Sequence, residues 1–123
     1  PDKMLYLSRS RWKRSIVGEK ILEQKLEKIG FTIFHGDVSM IDQIKLFSKA
    51  KLIIGPSGAA MSNLVWAQRN TKVIQLHDNN NCYRFYYNIG FMLNLEYHFI
   101  KVPARSWDSS DIKNLIEKIH NFI

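Results

Sequence analysis

Apolar positions along the chain follow two alternating periods. Met4 to Ser8 is a short, nearly unbroken apolar run of the kind a buried strand requires. From Ser15 to Ile29, Leu22, Leu26 and Ile29 recur at helical spacing with Ile21 alongside, which predicts a helix. Gly30 stands where a left-handed residue closes such a helix, after lysine in its last turn. Phe31 to His35 predicts a second strand. Ser39 with Asp42 three positions on resembles a capping box, an aspartate replacing the usual glutamate. The helix it opens carries Ile41, Ile44, Leu46 and Phe47 and runs to Lys49. Lys51 to Gly55 predicts a third strand, Met61 to Ala67 a short helix and Lys72 to Leu76 a fourth strand. The polar stretch Asp78 to Asn81 breaks the chain before a helix over Tyr83 to Leu93. Leu95 to Val102 supplies a fifth strand. An amphipathic helix from Ser110, with Ile112, Leu115, Ile116 and Ile119 on one face, closes the chain.

Strands alternating with helices imply right-handed βαβ units. The predicted class is therefore α/β, a three-layer Rossmann-like open parallel sheet of about five strands with helices on both faces. The order 2-1-3-4-5 is the economical arrangement for that number. A length of 123 residues fits a single domain, 1–123, with no internal linker long enough to split it. Because Pro1-Asp2-Lys3 leads almost directly into a strand, the domain is expected to be part of a longer chain.

Composition alters this picture in two places. Cys82 is the one cysteine, so no internal disulfide forms. The formal net charge is +7, which suits an anionic partner and is met equally by a lysine-rich solvated surface. There is neither an apolar run of the ~18 residues a membrane span needs nor a signal-peptide pattern.

In open parallel sheets ligands bind beyond the carboxyl ends of the strands, where the strand order reverses. The proposed order sets the loops after the first and third strands side by side at that point. The first reads Ser8-Arg9-Ser10-Arg11-Trp12-Lys13-Arg14. Arginine presents paired planar donors to phosphate oxygens, serine adds neutral ones, and a following helix start attracts anions. Arg9, nearest the strand end, is the leading phosphate ligand, ahead of Arg11 and Arg14. Trp12 suits either stacking on a base or packing. The second loop reads Gly55-Pro56-Ser57-Gly58-Ala59-Ala60-Met61-Ser62-Asn63. Its glycines allow unusual backbone angles and close approach of a ligand, and Ser62 or Asn63 is placed to cap the next helix. His77, just past the fourth strand, lies on the same side. Tyr83, Phe85, Tyr86 and Tyr87 form an aromatic cluster expected to pack. The histidines lack metal-ligand spacing, and the dinucleotide, Walker and serine-elbow fingerprints are absent.

The sequence also resembles a known family. Tyr6-Leu7-Ser8-Arg9, Gly18-Glu19, Ser39 through Asp42-Gln43, Leu46-Phe47, Ala50 and Ile53-Ile54-Gly55-Pro56-Ser57-Gly58-Ala59 through Ser62-Asn63 look like the C-terminal half of glycosyltransferase family 61. The resemblance runs from Leu5 to Leu76. It implies a GT-B enzyme, two Rossmann-like domains facing across a cleft, with the C-terminal one holding a nucleotide-sugar donor, usually a UDP-sugar. It further implies that Arg9 contacts the donor diphosphate, that Gly55 to Ala59 line the donor site, and that Glu19 belongs to the same region. No metal and no other cofactor is expected. The chain departs from the family pattern at Ser57, where histidine is usual, and at Ala60, where glycine is usual. It departs again at Gly18, in place of asparagine, and at Gln75, in a strand where an acidic residue is frequent.

The function expected from these readings is sugar transfer from a nucleotide-sugar to a glycan acceptor in bacterial surface or capsular polysaccharide assembly. The acceptor would be presented by an N-terminal domain outside this chain. The site set is Ser8, Arg9, Arg11, Glu19, Gly55, Pro56, Ser57, Gly58, Ala59, Ser62, Asn63 and His77, with no catalytic base identified. A cytoplasmic location, with peripheral association at the inner face of a membrane, is the accompanying expectation, and no nucleic acid is expected. The competing readings are a non-catalytic nucleotide-binding module and a basic nucleic-acid-binding domain. The latter would spread its cations along a face, whereas Arg9 to Arg14 cluster at one strand end, a contrast that Lys49, Lys51, Arg69 and Lys72 blur.

Overall fold

The computed structural model describes residues 2–9, 16–56, 59–78 and 85–123, with the backbone alone for 59, 60, 85 and 86. Five strands, β1 (Lys3–Leu7), β2 (Phe31–Phe34), β3 (Ala50–Pro56), β4 (Lys72–His77) and β5 (Glu96–Lys101), form one sheet. Every neighbouring pair is parallel and the order is β2-β1-β3-β4-β5, as the alternating pattern predicts. Helices α1 (Glu19–Lys28), α2 (Met40–Ser48), α3 (Phe85–Met92) and α4 (Ser109–His120) and a 3₁₀ helix, Ala59–Trp66, complete the chain.

The side-chain alternation of the strands divides the core between two faces. On one, Tyr6, Leu52, Ile54, Ile74 and Leu76 meet Leu22 and Leu26 of α1 and Ile112, Leu115 and Ile119 of α4. On the other, Leu5, Leu7, Ile53 and Val73 meet Phe47 of α2 and Met61 and Leu64 of the 3₁₀ helix. Each such side chain, fully buried, contributes roughly 1.5–3 kcal/mol. Tyr87 of α3 packs edge-on against Tyr97 of β5 at 5.6 Å and lies 5.8 Å from Phe99, so this member of the expected aromatic cluster is a packing residue.

The helix boundaries follow local chemistry. Gly30 takes φ +104, the left-handed turn expected of it. The Ser39 hydroxyl accepts the Asp42 N–H at 3.1 Å. In α4 a full capping box forms, Asp108 accepting from the Asp111 N–H at 2.8 Å and Asp111 from the Asp108 N–H at 3.0 Å. Helix α1 begins at Glu19 rather than Ser15, because Gly18 stands at its N-cap with φ +93. The short segment is a 3₁₀ helix, in which Met61 and Leu64 at i and i+3 eclipse on the core side, and it starts earlier than Met61. Two apolar residues read as core face outward: Ile21 is 52% exposed and Ile41 65%. Ile41 lies about a third of a turn round α2 from Phe47, the one residue of that helix that is buried.

Candidate functional site

From the sheet's middle, β1 leads outward to β2 while β3 leads the other way to β4, so the order reverses between β1 and β3. The pairing of Tyr6 with Ile54, continued upward, brings Leu7 beside Gly55 and Ser8 beside Pro56. The loops carrying the two unusual sequence segments thus leave the carboxyl edge as neighbours.

The β1 loop is built on a buried carboxylate. Glu19, at the first turn of α1, has no solvent exposure. Its Oε2 accepts the Tyr6 hydroxyl at 2.6 Å, and the Arg9 backbone N–H is shared between Oε1 and Oε2 at 3.1 Å each. Ser8, also buried, donates its N–H to the Phe34 carbonyl at 2.9 Å. The resemblance groups Glu19 with the donor-lining region; in this structure its carboxylate bonds Tyr6 and the backbone of the half-buried Arg9. Tyr6, which the sequence placed in the strand and in the family-like motif but not in the site set, is the other half of this strut. A hydroxyl in an otherwise apolar strand, with a glutamate at the next helix start, was the available signal.

Burial raises the Glu19 pKa, and the nearby Glu23 adds to the rise; the Tyr6 hydroxyl, the Arg9 N–H and the Arg9 cation oppose it. Burial also pushes the Tyr6 phenol well above its ordinary value, assisted by Glu19, so it remains a donor. A carboxyl whose native pKa is raised binds its proton more tightly folded than unfolded. Its contribution to stability is therefore full below the ordinary carboxylate range and is lost as pH rises through the raised native value. The wild-type chain's stability relative to Glu19→Gln is expected to be highest in mild acid and to decline toward neutral pH. Paired thermal melts across that range check this, and a difference that grows with pH would contradict it.

A second fastening closes the far end of the same loop. The Val17 N–H donates to the Arg105 carbonyl at 3.0 Å and the Trp107 N–H to the Val17 carbonyl at 2.8 Å, a parallel bridge between segments remote in sequence. Trp107 is buried and donates its indole N–H to the Pro103 carbonyl at 2.9 Å. At Gly18 a Cβ would lie 2.2 Å from the Trp107 carbonyl oxygen, so glycine is the residue this junction admits.

The β3 side differs from its sequence reading. Gly55 does not take a left-handed angle. Its missing side chain makes room for Leu7, whose Cβ would be 2.7 Å from a Cβ placed there; the glycine serves the packing of β3 on β1. Pro56 ends β3, half-buried, beside Leu76. Ala59 opens the 3₁₀ helix, whereas Ser57 and Gly58, like Arg11 on the other loop, lie outside the described residues. Because that helix starts at Ala59, Ser62 and Asn63 lie within it and not at its cap: Ser62 is exposed, and Asn63 donates its amide to Gln43 Oε1 at 3.0 Å. Gln43 in turn donates to the Val38 carbonyl at 3.0 Å, tying the two helix starts together.

Beneath this edge Gln75, paired with Gly55 across the sheet, is fully buried and accepts the Tyr97 hydroxyl at 2.5 Å. An amide here places no charge under the loop. His77, half-buried at the end of β4, packs edge-on to Phe99 at 6.0 Å, with Nδ1 3.2 Å from the Asp78 carbonyl oxygen. Beside Glu19, Glu23 faces His35 at 3.6 Å. Among the described residues no group of three or more His, Cys, Asp or Glu is placed to hold a metal ion.

A doubly wound parallel sheet with a basic residue anchored at its switch point defines an α/β domain of the Rossmann-like class. The family model for Glycosyltransferase 61 matches residues 1–74, so the chain belongs to glycosyltransferase family 61. It is also similar to Beta-1,2-xylosyltransferase RCN11 of Oryza sativa subsp. japonica, 28% identical over 98 residues. That similarity covers 77% of this chain and 18% of the rice protein, so the chain spans less than a fifth of that relative's length.

Proposed function

We propose that this chain is the donor-binding part of a glycosyltransferase, holding a nucleotide-sugar by its diphosphate at the β1–β3 switch point. The observation that carries the proposal is the placement of Arg9. Its backbone is fixed by Glu19 at the carboxyl edge, at the point where the two loops emerge together. A planar cation there suits a diphosphate, and it would stabilise the charge that gathers on the nucleoside diphosphate as the sugar leaves. The reaction is an inverting transfer to a glycan hydroxyl, without a metal. The base that deprotonates the acceptor comes from outside this chain. The donor is a UDP-sugar, and a UDP-pentose is a natural first test because the rice relative is named a xylosyltransferase. That relative is a plant protein and adds nothing to a bacterial setting.

Thermal-shift and calorimetric titration with UDP, GDP, CMP and their sugars, UDP-xylose included, tests this reading. A uridine nucleotide is expected to stabilise the chain, and Arg9→Ala to weaken its binding about tenfold or more, the loss of one charge-assisted contact. Indifference to every nucleotide would overturn the proposal.

A further inference from the structure

We propose that the amino edge of the sheet, opposite the candidate site, is a docking surface for an anionic lipid bilayer. The inference starts from the cations that stand apart from Arg9 to Arg14. Lys3 opens β1, Lys49 follows α2, Lys51 is the second residue of β3, and Arg69 precedes β4; all four are exposed. Lysines in the last turns of α1 and α2 are accounted for by the carbonyl ends of those helices. Lys3, Lys51 and Arg69 stand outside the helices and have no such explanation, while Lys49 is the C-cap residue of α2. None of them is held in an ion pair among the described residues. Exposed acids also lie at this edge, Asp2 beside Lys3 and Glu96 at the start of β5, and Glu96 is engaged by His98 at 2.8 Å.

Backbone and amide bonds join these positions into one rim. The Lys3 N–H donates to the Lys49 carbonyl at 2.9 Å, Gln68 to the Ser48 carbonyl at 2.9 Å, and the Asn70 N–H to the Asn94 carbonyl at 2.9 Å. The rim therefore runs from the start of β1 past the end of α2 to the turn after α3. Along it the 3₁₀ helix and α3, which pack together, end in exposed apolar residues. Val65 and Trp66 close the first, and Phe91 and Met92, 74% and 80% exposed, close the second.

The combination selects the partner. Phosphate backbones of nucleic acid would use the cations but give Val65, Phe91 and Met92 nowhere apolar to go. A bilayer with anionic headgroups uses both: lysine and arginine meet the headgroup charge, aliphatic side chains enter the headgroup–acyl boundary, and tryptophan favours that boundary. Such a contact lies on the membrane and does not cross it, consistent with the absence, among the described residues, of any helix long and apolar enough to span. It leaves the carboxyl edge, and so the candidate site, facing away from the lipid.

Co-sedimentation of the full 123-residue chain with vesicles tests the proposal. One set is phosphatidylcholine alone and the other phosphatidylcholine with phosphatidylglycerol. Binding is expected to the anionic set only and to weaken as salt is raised. The triple variant Lys49→Glu, Lys51→Glu, Arg69→Glu is expected to lose it by about a hundredfold or more. Trp66→Ser with Phe91→Ser and Met92→Ser should lose it as well, and both variants should keep the wild-type circular dichroism and nucleotide response. No binding to anionic vesicles, or binding that survives both variants, would overturn the proposal. So would a dimer that the serine variant dissociates, or tighter binding to single-stranded RNA than to vesicles.

Discussion

Replacing Glu19 with alanine is expected to cost the chain about 3 kcal/mol of stability and its nucleotide binding together. The figure follows from what the carboxylate leaves behind. The Tyr6 hydroxyl, fully buried, and the part-buried Arg9 N–H would both lose their acceptor, at roughly 1–3 kcal/mol each, partly offset by relief of the desolvated acid. Against a total of about 5–15 kcal/mol for a typical domain, the variant should still fold. With its backbone anchor gone, Arg9 would no longer be held at the switch point. Tyr6→Phe separates the two effects: it removes one donor from Glu19 and leaves the Arg9 N–H bonded, so stability should fall by about 1–2 kcal/mol with nucleotide binding retained. Urea melts read the first quantity and calorimetric titration the second. A Glu19→Ala chain as stable as wild type would remove the strut from the account of the site.

Gly18→Ala is expected to be comparably damaging, by roughly 3 kcal/mol or more, although it adds a single methyl group. The residue holds φ +93, which costs a side-chain-bearing residue energy before any contact is considered. The new Cβ would then meet the Trp107 carbonyl oxygen at 2.2 Å, a backbone atom that cannot swing aside. The bridge between Val17 and Ser106 would have to open. Asparagine tolerates left-handed angles, yet it carries the same Cβ, so Gly18→Asn should fare no better than alanine. This accounts for glycine where the family pattern has asparagine. Denaturant melts measure the loss, and faster hydrogen exchange at the Val17 and Trp107 amides would locate it.

These two residues also mark where the sequence was readable and where it was not. Strand order, the Ser39 cap and the Gly30 turn were legible because each rests on neighbours within a few positions, or on a topology that five parallel strands nearly impose. The neighbouring loops at the switch point followed from that topology. The Tyr6–Glu19 bond did not, since it depends on how α1 lies over β1, which periodicity leaves open. Gly55 was visible as a glycine, but its cause, the approach of Leu7 from the adjacent strand, belongs to packing and not to its own turn. Ile41 and Ile21 were misplaced for a related reason: an apolar residue on the flank of a helical stripe is buried only if a neighbouring element reaches it, and both stay more than half exposed.

The bridge from Val17 to Arg105 and Trp107 is made entirely of main-chain groups. Main-chain atoms are common to every sequence, so such an attachment writes no motif, and it falls beyond residue 74, where the family match ends. The part of the chain that fastens the loop consequently extends past the part that the family model matches. A chain trimmed to residue 74 would lose this bridge together with β5, α4 and the end of β4. Residues 105–107, beyond the family match, are the clasp that fastens the far end of the loop.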